Sequence, residues 1–231
     1  MKIDLHTHCL PISRCSIFEP EQMIELLAQK GIDAIVLTNH YKPEHLLPLS
    51  DDPAEQARIY LQVFERCRAK GEELGLKVFF GAEVKLGREP NCPEFLLYGF
   101  SQEDFIASYP LYDLTQEELF EYCNQKDILM VQAHPFRTEQ GYAPADMRFM
   151  HGVEVYNPHP YFATRFEDAL AVAEQNGKLK TAGSDLHMTE QLGTAGIIAP
   201  DDICDQFALR DYLRGGKVTI FTREKEIIEL D

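Results

Sequence analysis

The stretch "IDLHTHC", residues 3–9, alternates apolar and polar side chains almost from the first residue. In an extended strand the side chains at i and i+2 point to the same face. Asp4, His6 and His8 would then share one face, and Ile3 and Leu5 the other. Two imidazoles side by side on a strand are suited to gripping one ion, although a single His-x-His pair also arises in ordinary structure.

Working outward, the chain alternates short β-rich runs with helical ones. Strands are expected at "KIDLHTH", "DAIVLTNH", "LKVFFGAEV", "EFLLYGF", "ILMVQAHP", "GVEVYNP", "LKTAGSDLH" and "KVTIF". Between them, "EPEQMIELLAQKG" places Met23, Ile24, Leu27 and Ala28 on one helical face, with Pro20 in the first turn and Gly31 past the end. Asp52 before Pro53 is an N-cap signal, Thr115 with Glu118 a capping box, and Gly177 a helix stop. Alternating strands and helices argue for a parallel sheet, open or closed into a barrel. "FFGAEVKLGREPNCPEFLLYGF" breaks that rhythm: two β-runs share a connection rich in Gly, Pro and Asn, with no helix, which predicts a hairpin inserted in the barrel.

The chemistry gathers where these strands end. His6 and His8 close the first, His40 the second and His134 the fifth; Glu83 follows "VFFGA", and Asp185 with His187 closes "KTAGS". The C-terminal edge of a parallel α/β sheet is where active sites are built, so side chains far apart in sequence would converge there. Burying that many titratable groups without partners is costly, and a metal cluster satisfies them together. Imidazoles with carboxylates suit Zn, Mn or Fe better than Ca or Mg. The ligands are too many for one tetrahedral ion, so two or three divalent ions are expected, with Glu83 placed to bridge. Clusters of this kind activate water and clamp the oxygens of a displacement at phosphorus.

Composition limits the alternatives. With 231 residues, 45% of them hydrophobic, the chain can bury one sizeable core, and a single domain over 1–231 is expected. Six scattered cysteines without CxxC pairs read as reduced thiols. No stretch has the build of a signal peptide or the roughly 18–20 apolar residues of a bilayer span, so a soluble, cytoplasmic protein is expected. The net charge of −16 leaves no basic stripe for a nucleic acid polymer or an anionic membrane. An anionic substrate would then need strong local positive charge, which bound metals supply.

The motifs "DLHTH" (4–8), "TNH" (38–40), "GAEV" (81–84), "QAHP" (132–135), "GVEVYN" (152–157) and "GSDLH" (183–187) resemble, in type and order, those of the PHP (polymerase and histidinol phosphatase) superfamily. The resemblance covers most of the chain. It implies a distorted (β/α)7 barrel with a two- or three-metal cluster at one mouth. It also implies a metal-dependent phosphoesterase, a hydrolase that cleaves a phosphate ester with a metal-bridging hydroxide. Carried over, His6, His8, Glu83 and Asp185 hold one ion, Glu83 and His134 a second, His40 and His187 a third. Two positions depart from the pattern. The third site usually takes another His or Asp from the loop after DxHxH; here the matching position is Cys15, whose thiolate is a soft ligand. At the start of "EFLLYGF", where many relatives carry a histidine for the second ion, this chain has Glu94 and Phe95.

The expected reaction is hydrolysis of a small phosphate monoester, a phosphorylated metabolite, with Arg14 and Arg137 completing a phosphate cradle and Asp185 accepting a proton. Glu154 is placed to orient a ligating histidine; Asn157 and His159 lie past a strand end, near a leaving group; His45 belongs to the substrate rim. Tyr41, Tyr142 and Tyr161 fall in loops on the site's side of the sheet. His151, before its strand, belongs to the opposite end. Two rival readings stay open: a metal-dependent amidohydrolase, another barrel class that opens with His-x-His, and a non-catalytic accessory module that keeps metals for stability.

Overall fold

A computed structural model describes residues 1–87, 92–108, 110–224 and 226–231. The strands are β1 (Lys2–Thr7), β2 (Ala34–Leu37), β3 (His40–Tyr41), β4 (Lys77–Lys85), β5 (Glu94–Tyr98), β6 (Leu129–Gln132), β7 (Gly152–Tyr156), β8 (Leu179–Ala182), β9 (Gly196–Ile198), β10 (Val218–Phe221) and β11 (Ile227–Leu230). The helices are α1 (Pro20–Gln29), α2 (Pro43–Leu46), α3 (Pro53–Leu74), α4 (Gln102–Ala107), α5 (Gln116–Gln125), α6 (Phe166–Gln175) and α7 (Gln206–Arg214).

The sheet runs β11-β10-β9-β1-β2-β4-β5-β6-β7-β8, with β3 paired to β4. Seven of these strands, β1, β2 and β4 to β8, curve into a nearly closed barrel. The barrel closes where the chain past β8 meets the end of β1: Thr7 bridges Leu186 in parallel, the amide of His8 donates to the carbonyl of Leu186 at 3.2 Å, and that of Leu186 to the carbonyl of His6 at 3.2 Å. The other half of β1, Lys2 and Ile3, pairs antiparallel with β9. One strand edge thus serves both the barrel and the three-stranded extension β9-β10-β11. This is the distorted barrel expected from the motifs.

The expected hairpin is present: β5 pairs antiparallel with β4 and with β6. The four residues 88–91 of its connection lie outside the described residues. "DAIVLTNH" is not one strand but two, because the ladder is interrupted at Thr38 and Asn39, whose side chains bond to β1 and the loop after it. Asp52 caps α3 by accepting from the amide of Ala54, Pro53 is its first residue, and Gly75 ends it at φ 74°. The Thr115–Glu118 capping box forms at α5.

The barrel interior is polar at the mouth. Asp4, His6, His8, Glu83, Glu154 and Asp185 are all buried, each 3% exposed or less. Gly183 makes this possible: a Cβ there would stand 2.4 Å from the Cβ of His6 and 2.8 Å from its amide nitrogen. Only a residue without a side chain lets the end of β8 approach β1 so closely.

Candidate metal centre

The side chains expected to converge do so. Nε2 of His6 lies 3.2 Å from Oε1 of Glu83 and 3.4 Å from Oδ1 of Asp185, and Nε2 of His8 lies 3.2 Å from that same Asp185 oxygen. Nε2 of His134 is 3.2 Å from Oε1 of Glu83 and 3.6 Å from Oε2 of Glu94. Nε2 of His40 lies 3.2 Å from Sγ of Cys15 and 3.2 Å from Nε2 of His187, while its Nδ1 contacts Oε2 of Glu83.

Hydrogen bonds from behind fix which nitrogen faces inward. Nδ1 of His6 bonds Oε1 of Glu154 at 2.9 Å. Oε2 of Glu154 accepts from the amide of His134 at 3.0 Å and from Nδ2 of Asn157 at 2.8 Å. Nδ1 of His8 meets Oγ of Ser13 at 3.0 Å, and that hydroxyl donates to Oδ1 of Asn39 at 2.8 Å. With its one proton given to Asn39, Ser13 is an acceptor toward His8. Nδ1 of His187 donates to the backbone carbonyl of Asp185 at 2.8 Å. In each case the bond behind the ring occupies Nδ1 and turns Nε2 toward the cluster, the arrangement typical of ligating histidines.

This donor set fits divalent cations. Nε2 of His6 and His8, Nδ1 of His40 and Oε2 of Glu83 are buried without a hydrogen-bond partner. Buried polar atoms left without a partner are costly, and divalent ions among these nitrogens and oxygens would satisfy them together. Ligand atoms about 2.0–2.2 Å from one ion stand roughly 3.0–3.5 Å from each other, the spacing of the His6–Glu83, His6–Asp185, His8–Asp185 and His134–Glu83 pairs. His6, His8 and Asp185 form one group whose donor atoms lie within 4.8 Å of one another; His6, Glu83 and His134 form a second; His40, Glu83 and Glu94 a third; and His8, His40 and His187 a fourth. Glu83 and Glu94 are thus both within the cluster. His134 at φ 30° and Asp185 at φ 53° occupy the left-handed region, where non-glycine residues are uncommon and often functional.

The electrostatics follow from crowding. Burial disfavours a charged His6, but Glu154, Asp185 and Glu83 outweigh it and hold the ring well above the usual imidazole range. For Glu83 burial works against ionisation, yet His40 and His6 keep its carboxyl well below the usual carboxylate range. Asp185 is held low against its burial by Arg137 and His6. Burial and the neighbouring His187 push His8 down to about 3. His187 itself, raised by Asp185 against its burial, stands at about 10.

A cavity of about 250 Å³ opens over the cluster, lined among others by Cys15, Lys42, Glu94, Arg137, Tyr142 and His159. Arg137 is 8% exposed; its Nη1 pairs with Oδ2 of Asp185 at 2.8 Å and its Nη2 donates to Oδ1 of Asn157 at 2.6 Å. Arg14 does not complete the cradle. It is exposed and is not among the cavity's lining residues; its amide nitrogen lies 3.2 Å from Nδ1 of His45. The second cation on the wall is instead Lys42, bonded to Oε1 of Glu94 at 3.1 Å, with the hydroxyl of Tyr142 on Oε2 at 2.8 Å. Lys42 and Ser13 have no motif signal of their own and are found only by their nearness in sequence to His40 and His8; Asn39 lies inside "TNH" but the motif gives it no role of its own. Glu154 and Asn157 stand where expected. His151 is remote, bonded to the amide of Met130 and to Asn124. Tyr41 is a core residue, and Tyr161 is 71% exposed.

No family model matches the sequence, and no curated protein does. Solved structures match over nearly the whole chain. A two-domain protein from Bacteroides vulgatus containing a predicted PHP-like metal-dependent phosphoesterase superposes with a TM-score of 0.69 at 20% identity over 97% of this chain. This chain spans only 65% of that protein. An amidohydrolase from Chromobacterium violaceum, with bound sulfate and no metal, has a TM-score of 0.58 at 14% identity, covering 96% of this chain and 98% of that one. The lesion-specific endonuclease EndoQ from Pyrococcus furiosus has a TM-score of 0.58 at 17% identity, covering 93% of this chain and 56% of that one. The chain therefore has the fold of PHP-like metal-dependent phosphoesterases, in agreement with the motif resemblance.

Proposed function

We propose that this protein is a hydrolase that cleaves a small phosphate monoester with the help of two or three divalent ions, Zn, Mn or Fe. The observation that carries this reading is the set of inward-facing imidazole nitrogens and carboxylate oxygens packed together beneath a small cavity walled by Arg137 and Lys42. His6, His8, Glu83 and Asp185 would hold one ion, Glu83 and His134 a second, and Cys15, His40 and His187 a third. Bound there, the ions would supply an activated water and neutralise phosphoryl charge.

The chain's own residues do the rest. Arg137 presents a guanidinium fork to phosphate oxygens, held in plane by Asp185 and Asn157. Asp185 keeps one carboxylate oxygen on Arg137 and the other among the histidines, so it can take a proton from the attacking water while staying oriented. His159, pushed down to about 4 by burial and Arg137, is a neutral ring on the cavity wall at working pH, suited to hydrogen-bonding a leaving-group oxygen. The cavity volume suits a small ester, and the net charge of −16 disfavours a nucleic acid polymer despite the fold shared with an endonuclease.

The test is a phosphate-release screen with added Mn or Zn over phosphate monoesters, including histidinol phosphate, nucleoside monophosphates and aryl phosphates, beside a set of cyclic amides. Turnover of one or more monoesters, lost in His134→Ala, is expected. Turnover of amides alone would move the protein to the amidohydrolase class. A metal-loaded parent that hydrolyses nothing, with a His134→Ala variant that loses metal and unfolds, would make it an accessory module.

A further inference from the structure

At the outer side of the cluster the donors change character. Cys15 is exposed, and its Sγ stands 3.2 Å from Nε2 of His40. Nearby is His45, which neither the motif pattern nor the strand-end rule singles out as a ligand. It sits on the short helix α2, and its ring packs edge-on against that of His40 with centroids 4.9 Å apart. Donor atoms of Cys15, His40 and His45 all lie within 4.8 Å of one another. With Nδ1 held by the backbone, 2.8 Å from the Ile12 carbonyl and 3.2 Å from the Arg14 amide nitrogen, Nε2 is the ring nitrogen left for an ion.

We propose that His45 is a ligand of the outermost ion, making that position a Cys15–His40–His45–His187 site. The inference rests on the reading of the cluster as a metal centre and goes beyond it in donor set and selectivity. One thiolate and three imidazoles are a closed, soft, four-coordinate set that favours Zn or Co over Mn or Mg, whereas the inner positions around Glu83 and Asp185 carry harder oxygen donors. One molecule would then hold ions of two chemical kinds: an exchangeable, oxygen-rich inner pair and a thiolate-held outer ion at the mouth.

Cobalt titration of the full chain, followed by absorption spectroscopy, tests this without any need for turnover. The parent should develop a thiolate-to-cobalt charge-transfer band together with the intense visible bands of four-coordinate cobalt. Cys15→Ser should abolish the charge-transfer band. His45→Ala and His45→Gln should keep it, weaken the visible bands and loosen this position by at least about tenfold. Circular dichroism of each variant separates ligand loss from unfolding, and the two His45 variants give independent chances of a folded protein. Spectra and affinity unchanged in both folded His45 variants would overturn the proposal while leaving the metal centre intact. Failure of the parent to bind cobalt or zinc at all would overturn the metal centre itself.

Discussion

Glu154 illustrates how much of the site depends on a residue that need not touch an ion. Three donors converge on its two oxygens: Nδ1 of His6, the amide of His134 and Nδ2 of Asn157. Glu154→Gln replaces one acceptor with an NH2 group, so at least one of those donors must lose its partner or turn away. Metal affinity should fall about 10- to 100-fold, measured by competition with a chromophoric chelator. Asp4 is the opposite case, a carboxyl that the fold prefers neutral. Burial raises it from 3.8 to about 7, against hydrogen bonds from Ser184 and the His6 amide. A folded pKa above the unfolded one means that stability from the protonated form is complete below pH 3.8 and is lost as pH rises through about 7. Asp4→Asn mimics the neutral form. In metal-stripped protein it should therefore be the more stable variant at pH 8, by on the order of 2–4 kcal/mol, with the advantage gone at pH 4; urea denaturation at the two pH values reads it. His6, His8, His40, Glu83, His134, Asp185 and His187 were legible in the sequence because strand-end position and motif spacing both pointed to them. Arg14 misled because charge beside a ligand says nothing about direction: its side chain stands in solvent while Lys42, in an unremarkable loop sequence, turns in.

Among the elements, the seam between β1 and the end of β8 matters most, since it brings His6 and His8 to Asp185 and His187. Gly183→Ala forces a methyl group against the His6 backbone. Relief requires the strands to part, at a cost of about 1–3 kcal/mol. Thermal melts should show a lower midpoint, and metal content should drop with it. A normal melt with full metal content would mean that the seam has slack that the packed geometry does not suggest. The barrel strands and their helices were readable because each carries a periodic apolar run with a cap or glycine at its end. The antiparallel β5 was readable from the absence of a helix before it. That reversal is also why Glu94, at the start of a strand rather than its end, reaches the mouth. β9 and β11 were not read: three or four residues each, they have too short a pattern to stand out, and β9 finds its partner in β1, far back along the chain, while β11 folds back on β10. The split of β2 from β3 was hidden for the same reason, because Thr38 and Asn39 spend their side chains on β1 and its following loop.

For the molecule as a whole, ions that bind only the folded cluster add to its stability by mass action. A single ion at a hundred times its Kd is worth about 2.7 kcal/mol, so a strong chelator should lower the melting temperature by several degrees for each ion removed. No change in midpoint would argue that the described donors hold nothing tightly. None of the helices among the described residues is long and apolar enough to cross a membrane. A last consequence concerns His6 and His187, the two rings whose carboxylate neighbours raise their affinity for a proton in the metal-free protein. Each must surrender a hydrogen ion before it can donate its lone pair, so loading is an exchange of one positive charge for another. Calorimetric heats of loading should then vary with the ionisation enthalpy of the buffer, and a drop in pH should empty the centre while the barrel around it stays folded. A protein built this way couples local acidity to the free concentration of its own ions.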